Sequence, residues 1–157
     1  MQKTGQLELQ LIGGTDILFT RLFSAPAQMV FDAHTKPELF SRWMLGPPGW
    51  TMPVCEIDFR VGGRYRCEWA HPEEGSFDVS GQYLEIDAPG RFRHTEVMAG
   101  TETVNVVTFT EQGGKTLMSQ NISYANAEAW QAAIETGMAE GMEAGYANLD
   151  RMFAEAN

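Results

Sequence analysis

The chain has 157 residues, 43% hydrophobic and 20% charged, with 21 acidic against 11 basic side chains and a net charge of −10. One domain accounts for that length, and a core of this size holds together without disulfides or a metal. The acidity argues against nucleic acid and against an anionic membrane surface as partners, since both need clustered Lys and Arg.

Leu7, Leu9 and Leu11 alternate with polar residues, Gly13 and Gly14 interrupt, and a second extended run follows from Ile17 to Phe23. The pattern reads as one bulged strand or a small hairpin. Ser24, Ala25 and Pro26 open a helix with Ser24 as the expected cap. Thr35 followed three residues later by Glu38 has capping-box spacing, so a second short helix is predicted to run to about Met44. Gly46-Pro47-Pro48-Gly49 ends the helices, and the period then changes to two. Strands are predicted at 51–59, 64–71, 76–87, 91–98, 102–111 and 115–124, joined by short Gly- and Pro-rich turns that make neighbours antiparallel.

Asn126 to Ala156 reads as one long helix. At 1.5 Å per residue it reaches about 45 Å, enough to cover one face of the sheet. Its apolar stripe is bulky at both ends, with Trp130 and Ile134 at one and Leu149, Met152 and Phe153 at the other. The middle holds Gly137, Gly141 and Gly145. A glycine in a helix costs about 0.5–1 kcal/mol relative to alanine. A column of three either admits a neighbouring element or leaves room for something that is not protein; the reading adopted is a pocket under the helix.

Several stretches resemble one family. They are Thr20-Arg21-Leu22-Phe23-Ser24-Ala25-Pro26, Val30-Phe31-Asp32-Ala33 and Thr35 to Trp43, then Gly46-Pro47, Glu56 to Arg64, Gly81 to Ile86, and Gly141 to Arg151. In this order they are similar to the Hsp90-ATPase-activator-homologue-like branch of the START/Bet v 1 (SRPBCC) superfamily, over about residues 15 to 153. The resemblance implies an α+β helix-grip fold. A curved antiparallel sheet of about six or seven strands wraps a long C-terminal helix, two short helices lie between strands 1 and 2, and a hydrophobic cavity sits between sheet and helix. It implies no single activity. The reading is one domain over 1–157, with 1–14 an N-terminal strand or extension.

The three histidines share no ligand spacing with each other or with Cys55 and Cys67, so no metal is expected. His34 reads as a surface or capping residue and His71 as a loop residue before Pro72. Alternation puts Phe92, His94, Glu96 and Met98 on one strand face, where His94 and Glu96 could act on one ligand as catalytic candidates. The alternative is a hydrogen-bonded polar pair in a partly buried strand. No nucleophile elbow, dinucleotide fingerprint or phosphate loop is present, and no cofactor is expected. The candidate ligand-binding set is Trp43, Trp50, Tyr65, Trp69, Phe77, Tyr83, Phe92, His94, Glu96, Met138, Gly141, Met142 and Gly145.

No apolar run reaches the ~20 residues of a membrane span, and Met1 to Gly5 lacks a leader's layout. The expected setting is cytoplasmic, with no membrane partner. The two cysteines are too few for a disulfide scaffold and are read as buried free thiols, although they could be neighbours across a hairpin. The first expectation is binding of a small apolar or amphipathic ligand. Rival expectations are a cavity enzyme of the polyketide cyclase/hydrolase type and a module contacting an Hsp90-type chaperone. Exposed sheet edges make a homodimer possible.

Overall fold

The computed structural model describes residues 3–156; residues 1, 2 and 157 of the expected 1–157 domain lie outside the described residues. Two strands, β1 (Glu8–Ile12) and β2 (Asp16–Phe23), come first, followed by α1 (Ala27–Thr35) and α2 (Pro37–Trp43). Six strands follow: β3 (Thr51–Ile57), β4 (Arg64–His71), β5 (Gly75–Asp87), β6 (Arg91–Met98), β7 (Thr101–Gln112) and β8 (Lys115–Tyr124). Two helices, α3 (Ala127–Glu135) and α4 (Met138–Ala156), end the chain. The strands form one antiparallel sheet of eight in the order β1-β2-β8-β7-β6-β5-β4-β3.

The count exceeds the expected six or seven because the N-terminal run is a hairpin rather than one bulged strand, so the short helices lie between β2 and β3. Gly13 and Gly14 both take positive φ, 61° and 75°, the backbone that a tight hairpin turn demands. The predicted strands at 64–71, 91–98 and 115–124 coincide with β4, β6 and β8. Alternation that faces a core on one side fixes both period and register.

Both predicted caps of the short helices fail, the first because a tertiary partner takes its place and the second because the hydroxyl bonds back into the preceding helix. Pro26, not Ser24, holds the N-cap of α1, and no side chain caps it locally. The Ala27 amide donates instead to Glu111 Oε1 at 2.8 Å, across from β7. Thr35 does not cap α2; its hydroxyl turns back and donates to the Phe31 carbonyl at 3.0 Å. The long terminal helix is also interrupted. Asn126 caps α3, accepting from the Ala129 amide at 2.8 Å, but Gly137 has φ +74°. That backbone ends α3 and restarts the chain as α4.

The three glycines of the column therefore differ. Gly137 makes the break. A methyl group on Gly145 would lie 3.3 Å from the Trp43 carbonyl oxygen and 3.5 Å from Met44 Sδ, so Gly145 serves close packing of α4 on α2. Gly141, which keeps helical backbone, faces open space, with no heavy atom of the surrounding protein within 4 Å of such a methyl. Backbone conformation accounts for the first, close approach for the last, and open space is left beside the middle one.

Candidate functional site

The inward faces of four adjacent strands share one pattern. On β2 the inward residues run Ile17, Phe19, Arg21, Phe23, and on β8 they run Met118, Gln120, Ile122. On β7 they are Thr103, Asn105, Val107 and Phe109, and on β6 they are Phe92, His94 and Glu96, paired across from Val107, Asn105 and Thr103. Each strand places polar residues beside apolar ones, and register brings these polar positions together as a belt.

The belt separates two apolar clusters. One gathers Phe23, Trp43, Tyr83, Phe92, Phe109, Tyr146 and Phe153. The other holds Ile17, Phe19 and Ile122 under Trp130, Ile134 and Met138. Leu7 and Met142 pack against both.

At one end of the belt Arg21 is 1% exposed. Its guanidinium forks onto Glu143, with Nε to Oε1 at 3.0 Å and Nη2 to Oε2 at 2.9 Å. It also forks onto Asp150, with Nη1 to Oδ1 and Nη2 to Oδ2 each at 2.9 Å. A buried charge persists only when paired and hydrogen-bonded, so this clamp fixes α4 on the sheet. In the middle, Asn105 is fully buried and satisfied: its Nδ2 donates to Thr103 Oγ1 at 3.0 Å, and Gln120 Nε2 donates to its Oδ1 at 2.9 Å.

At the other end lies the pair His94 and Glu96. The Tyr65 hydroxyl donates to the Thr95 carbonyl at 2.7 Å and lies 3.1 Å from His94 Nδ1, which is 3.0 Å from the same carbonyl. With the tyrosine proton committed to that carbonyl, Nδ1 carries the imidazole hydrogen and donates to it. Nε2 is then a lone pair, and among the described residues it has no hydrogen-bond partner. Burial pushes His94 down to about 4, so the ring is neutral at pH 7. Burial alone pushes the Glu96 carboxyl up to about 6, and no described residue donates to it. Both side chains are nonetheless partly exposed.

Around the pair, burial raises the Tyr65 and Tyr83 phenols, and the charge on Glu96 raises Tyr65 further. Tyr83 and Phe92 are buried members of the larger cluster. Met138 receives a hydrogen bond from the Tyr124 hydroxyl at 3.8 Å, and Tyr124 also feels the Glu96 charge. Met142 packs against both apolar clusters, and the space beside Gly141 is open.

Other members of the expected set stand elsewhere. Trp43 is fully buried, donates to the Ala33 carbonyl at 2.8 Å and stacks on Tyr146 at 5.3 Å, so it is solid core. Gly145 packs on α2, as above. Trp50, Trp69 and Phe77 form a separate aromatic group where β4 meets β5. Trp69 stacks on Phe77 at 5.2 Å and donates to the Met44 carbonyl at 2.6 Å, and Trp50 packs on Phe77 and His71. Phe77 (42%) and Met98 (45%) lie exposed on the inward face. His71 ends β4, and its Nδ1 accepts from the Glu73 and Glu74 amides.

His34 is neither surface nor cap: its ring packs on Trp43 at 4.9 Å and Phe109 at 5.1 Å, and burial lowers it to about 4. The sequence reasoning passed over Arg21, Asn105 and Gln120. A charged residue at an inward position between Phe19 and Phe23, with acids seven residues apart at Glu143 and Asp150, was the available signal.

Among the described residues no helix is long and apolar enough to cross a membrane, and no cluster of His, Cys, Asp and Glu could hold a metal ion. Residues 24–154 match the family model described as Activator of Hsp90 ATPase homolog 1-like protein. No curated protein matches the chain. A crystal structure of a Rhodobacter sphaeroides protein is similar at 28% identity and TM-score 0.90, covering 97% of this chain and 100% of that one. Protein Ms6760 from Mycobacterium smegmatis shares the fold at 23% identity and TM-score 0.84, covering 94% and 96% of the two chains. Protein NE0264 from Nitrosomonas europaea does so at 22% and 0.83, covering 93% and 98%.

Proposed function

The chain belongs to the Activator of Hsp90 ATPase homolog 1-like family, and from that premise we propose that it binds a small amphipathic molecule in a recess between sheet and α4. One observation carries the reading. His94 Nε2 and the Glu96 carboxylate are two acceptors on one strand face, desolvated by burial and without protein donors. Acceptors held this way favour a ligand that donates, because its hydrogen bonds would replace those of water in partly desolvated surroundings.

The head group is therefore a hydroxyl, an amide N–H or an amine, and an anionic head is repelled by Glu96. The nearby cation Arg21 is already committed to two carboxylates. The apolar body rests against Tyr83, Tyr124, Met138 and Met142, where methionine adapts to shape.

Binding of 2-naphthol and of 2-naphthoate, followed by quenching of tryptophan emission, tests the proposal. The phenol should bind at least ten-fold more tightly than the carboxylate, and Gly141→Leu should abolish uptake in a folded protein. Equal binding of the two, or uptake unaffected by Gly141→Leu, overturns it.

The same pair supports a second reading, a cavity enzyme in which His94 Nε2 accepts a proton beside Glu96. Turnover lost in His94→Ala with binding retained would favour it; binding and turnover lost together would not. Contact with an Hsp90-type chaperone rests on the family description alone, and recovery of such a chaperone with the immobilised chain is its test.

A further inference from the structure

Cys55 on β3 stands directly opposite Cys67 on β4. Opposed residues of an antiparallel pair have Cα atoms about 4.5–5.5 Å apart, within the roughly 4.4–6.8 Å that a disulfide spans. The two Sγ atoms are 3.9 Å apart, with the Cys67 thiol donating to Cys55. Closing that gap to the ~2.05 Å of a sulfur–sulfur bond asks for side-chain rotation and a small strand shift.

The strand that must shift has a sheet neighbour on one side only. β3 is the last strand of the sheet, paired only with β4. It carries Pro53 and a register irregularity between Thr51 and Val54. The ladder beyond β4 is untouched by such a movement.

The two thiols are also unequal. Cys55 is half-buried and reachable, whereas Cys67 is 2% exposed. The hydrogen bond from Cys67 holds the Cys55 thiol below its ordinary range, favouring the thiolate that reacts. The same hydrogen bond, with burial and the Glu96 charge, pushes Cys67 up and keeps its proton in place.

We propose that Cys55 and Cys67 form a peroxide-responsive dithiol in which Cys55 attacks, Cys67 resolves, and the product is a reversible intrachain disulfide tying β3 to β4. The Cys55 thiolate displaces hydroxide from hydrogen peroxide, forming a sulfenic acid; the sulfur is oxidised and one peroxide oxygen leaves as water after protonation. The Cys67 sulfur then attacks the sulfenic sulfur, the sulfur–oxygen bond breaks, and the oxygen leaves as a second water carrying the Cys67 proton. Two thiols and one peroxide thus give one disulfide and two waters. A dithiol reductant such as dithiothreitol reverses the reaction. The pair stands whether or not the recess takes a ligand.

Hydrogen peroxide is added to the folded chain, and free thiols are counted by maleimide labelling and intact mass. The count should fall from two to none per monomer, with the loss of two hydrogens and full return on dithiothreitol. Proteolysis without reductant should yield a linked peptide pair containing Cys55 and Cys67. In Cys67→Ala, dimedone should trap a sulfenic acid on Cys55; in Cys55→Ala, Cys67 should stay unlabelled under the same exposure. Thiols that remain titratable, a disulfide formed only between chains, or dimedone capture at Cys67 equal to that at Cys55 would each overturn the proposal.

Discussion

Replacing Gly137, Gly141 and Gly145 by alanine, one at a time, should give changes of different sign. At Gly141 the new methyl meets nothing, so the helix keeps the usual advantage of alanine, about 0.5–1 kcal/mol of added stability. At Gly137 the φ of +74° is one that an L side chain pays about 1–2 kcal/mol to adopt, and stability falls by that amount. At Gly145 the methyl would sit 3.3 Å from the Trp43 carbonyl oxygen. That oxygen already accepts from the Leu45 amide at 2.8 Å and from Asn148 Nδ2 at 3.2 Å, so it yields little. Overpacking there outweighs the helix gain and leaves a net loss of about 1 kcal/mol. Urea unfolding followed by tryptophan emission reads all three. With a slope of about 2 kcal/mol/M, Gly141→Ala raises the midpoint by roughly 0.3 M, and the other two lower it by at least as much. A Gly141→Ala protein destabilised by more than about 1 kcal/mol would mean that the space beside α4 is filled, and the argument for a recess would fall with it.

Arg21→Ala strands Glu143 and Asp150, which retain 36% and 34% side-chain exposure. The loss sits at the low end for a broken buried pair, about 3 kcal/mol, or a drop of roughly 6–12 °C in Tm for a domain of this size. Circular dichroism melts measure it, and Arg21→Lys, which cannot fork onto both acids, should recover less than half. The pH dependence of stability has two opposed parts. His34 and His94 are lowered from 6.5 to about 4, so their part is complete above pH 6.5 and lost as pH falls towards 4, where the unfolded chain takes up protons that the folded one refuses. Glu96 is raised from 4.5 to about 6, so the folded chain keeps a proton that the unfolded chain releases, and this part falls as pH rises through that window. Glu96→Gln removes the second part, steepening the gain of stability with pH between 4.5 and 6 by about one proton's worth; an unchanged slope in urea titrations would refute the assignment. Glu111→Ala should cost about 1 kcal/mol through the lost amide partner of α1, measured by the same unfolding.

The fold was largely legible because strands facing a core advertise themselves by alternation, as in Phe92, His94 and Glu96, and because the turns carry glycine at demanding backbone angles. What escaped was tertiary. Ser24 and Thr35 have the chemistry of caps, but Glu111 meets the first amide of α1 and the Thr35 hydroxyl turns back to Phe31. Gly137, Gly141 and Gly145 look alike in a one-dimensional pattern, and only the backbone angle at the first and the nearness of α2 to the last tell them apart. Trp43 has the same composition signal as a pocket wall and became core because its indole N–H found the Ala33 carbonyl. His94 and Glu96 could be named from spacing; that His94 Nε2 and the Glu96 carboxyl find no donor among the described residues is a fact of the assembled sheet.

The division of the interior has a thermal consequence. Two oily masses that share little beyond Leu7 and Met142 can loosen at different temperatures, with the salt-clamped α4 as their common strut. Calorimetry would then show a broadened melt in the empty protein. A guest wedged between the halves would join them and sharpen the transition, so the width of the endotherm reports occupancy before any guest is identified.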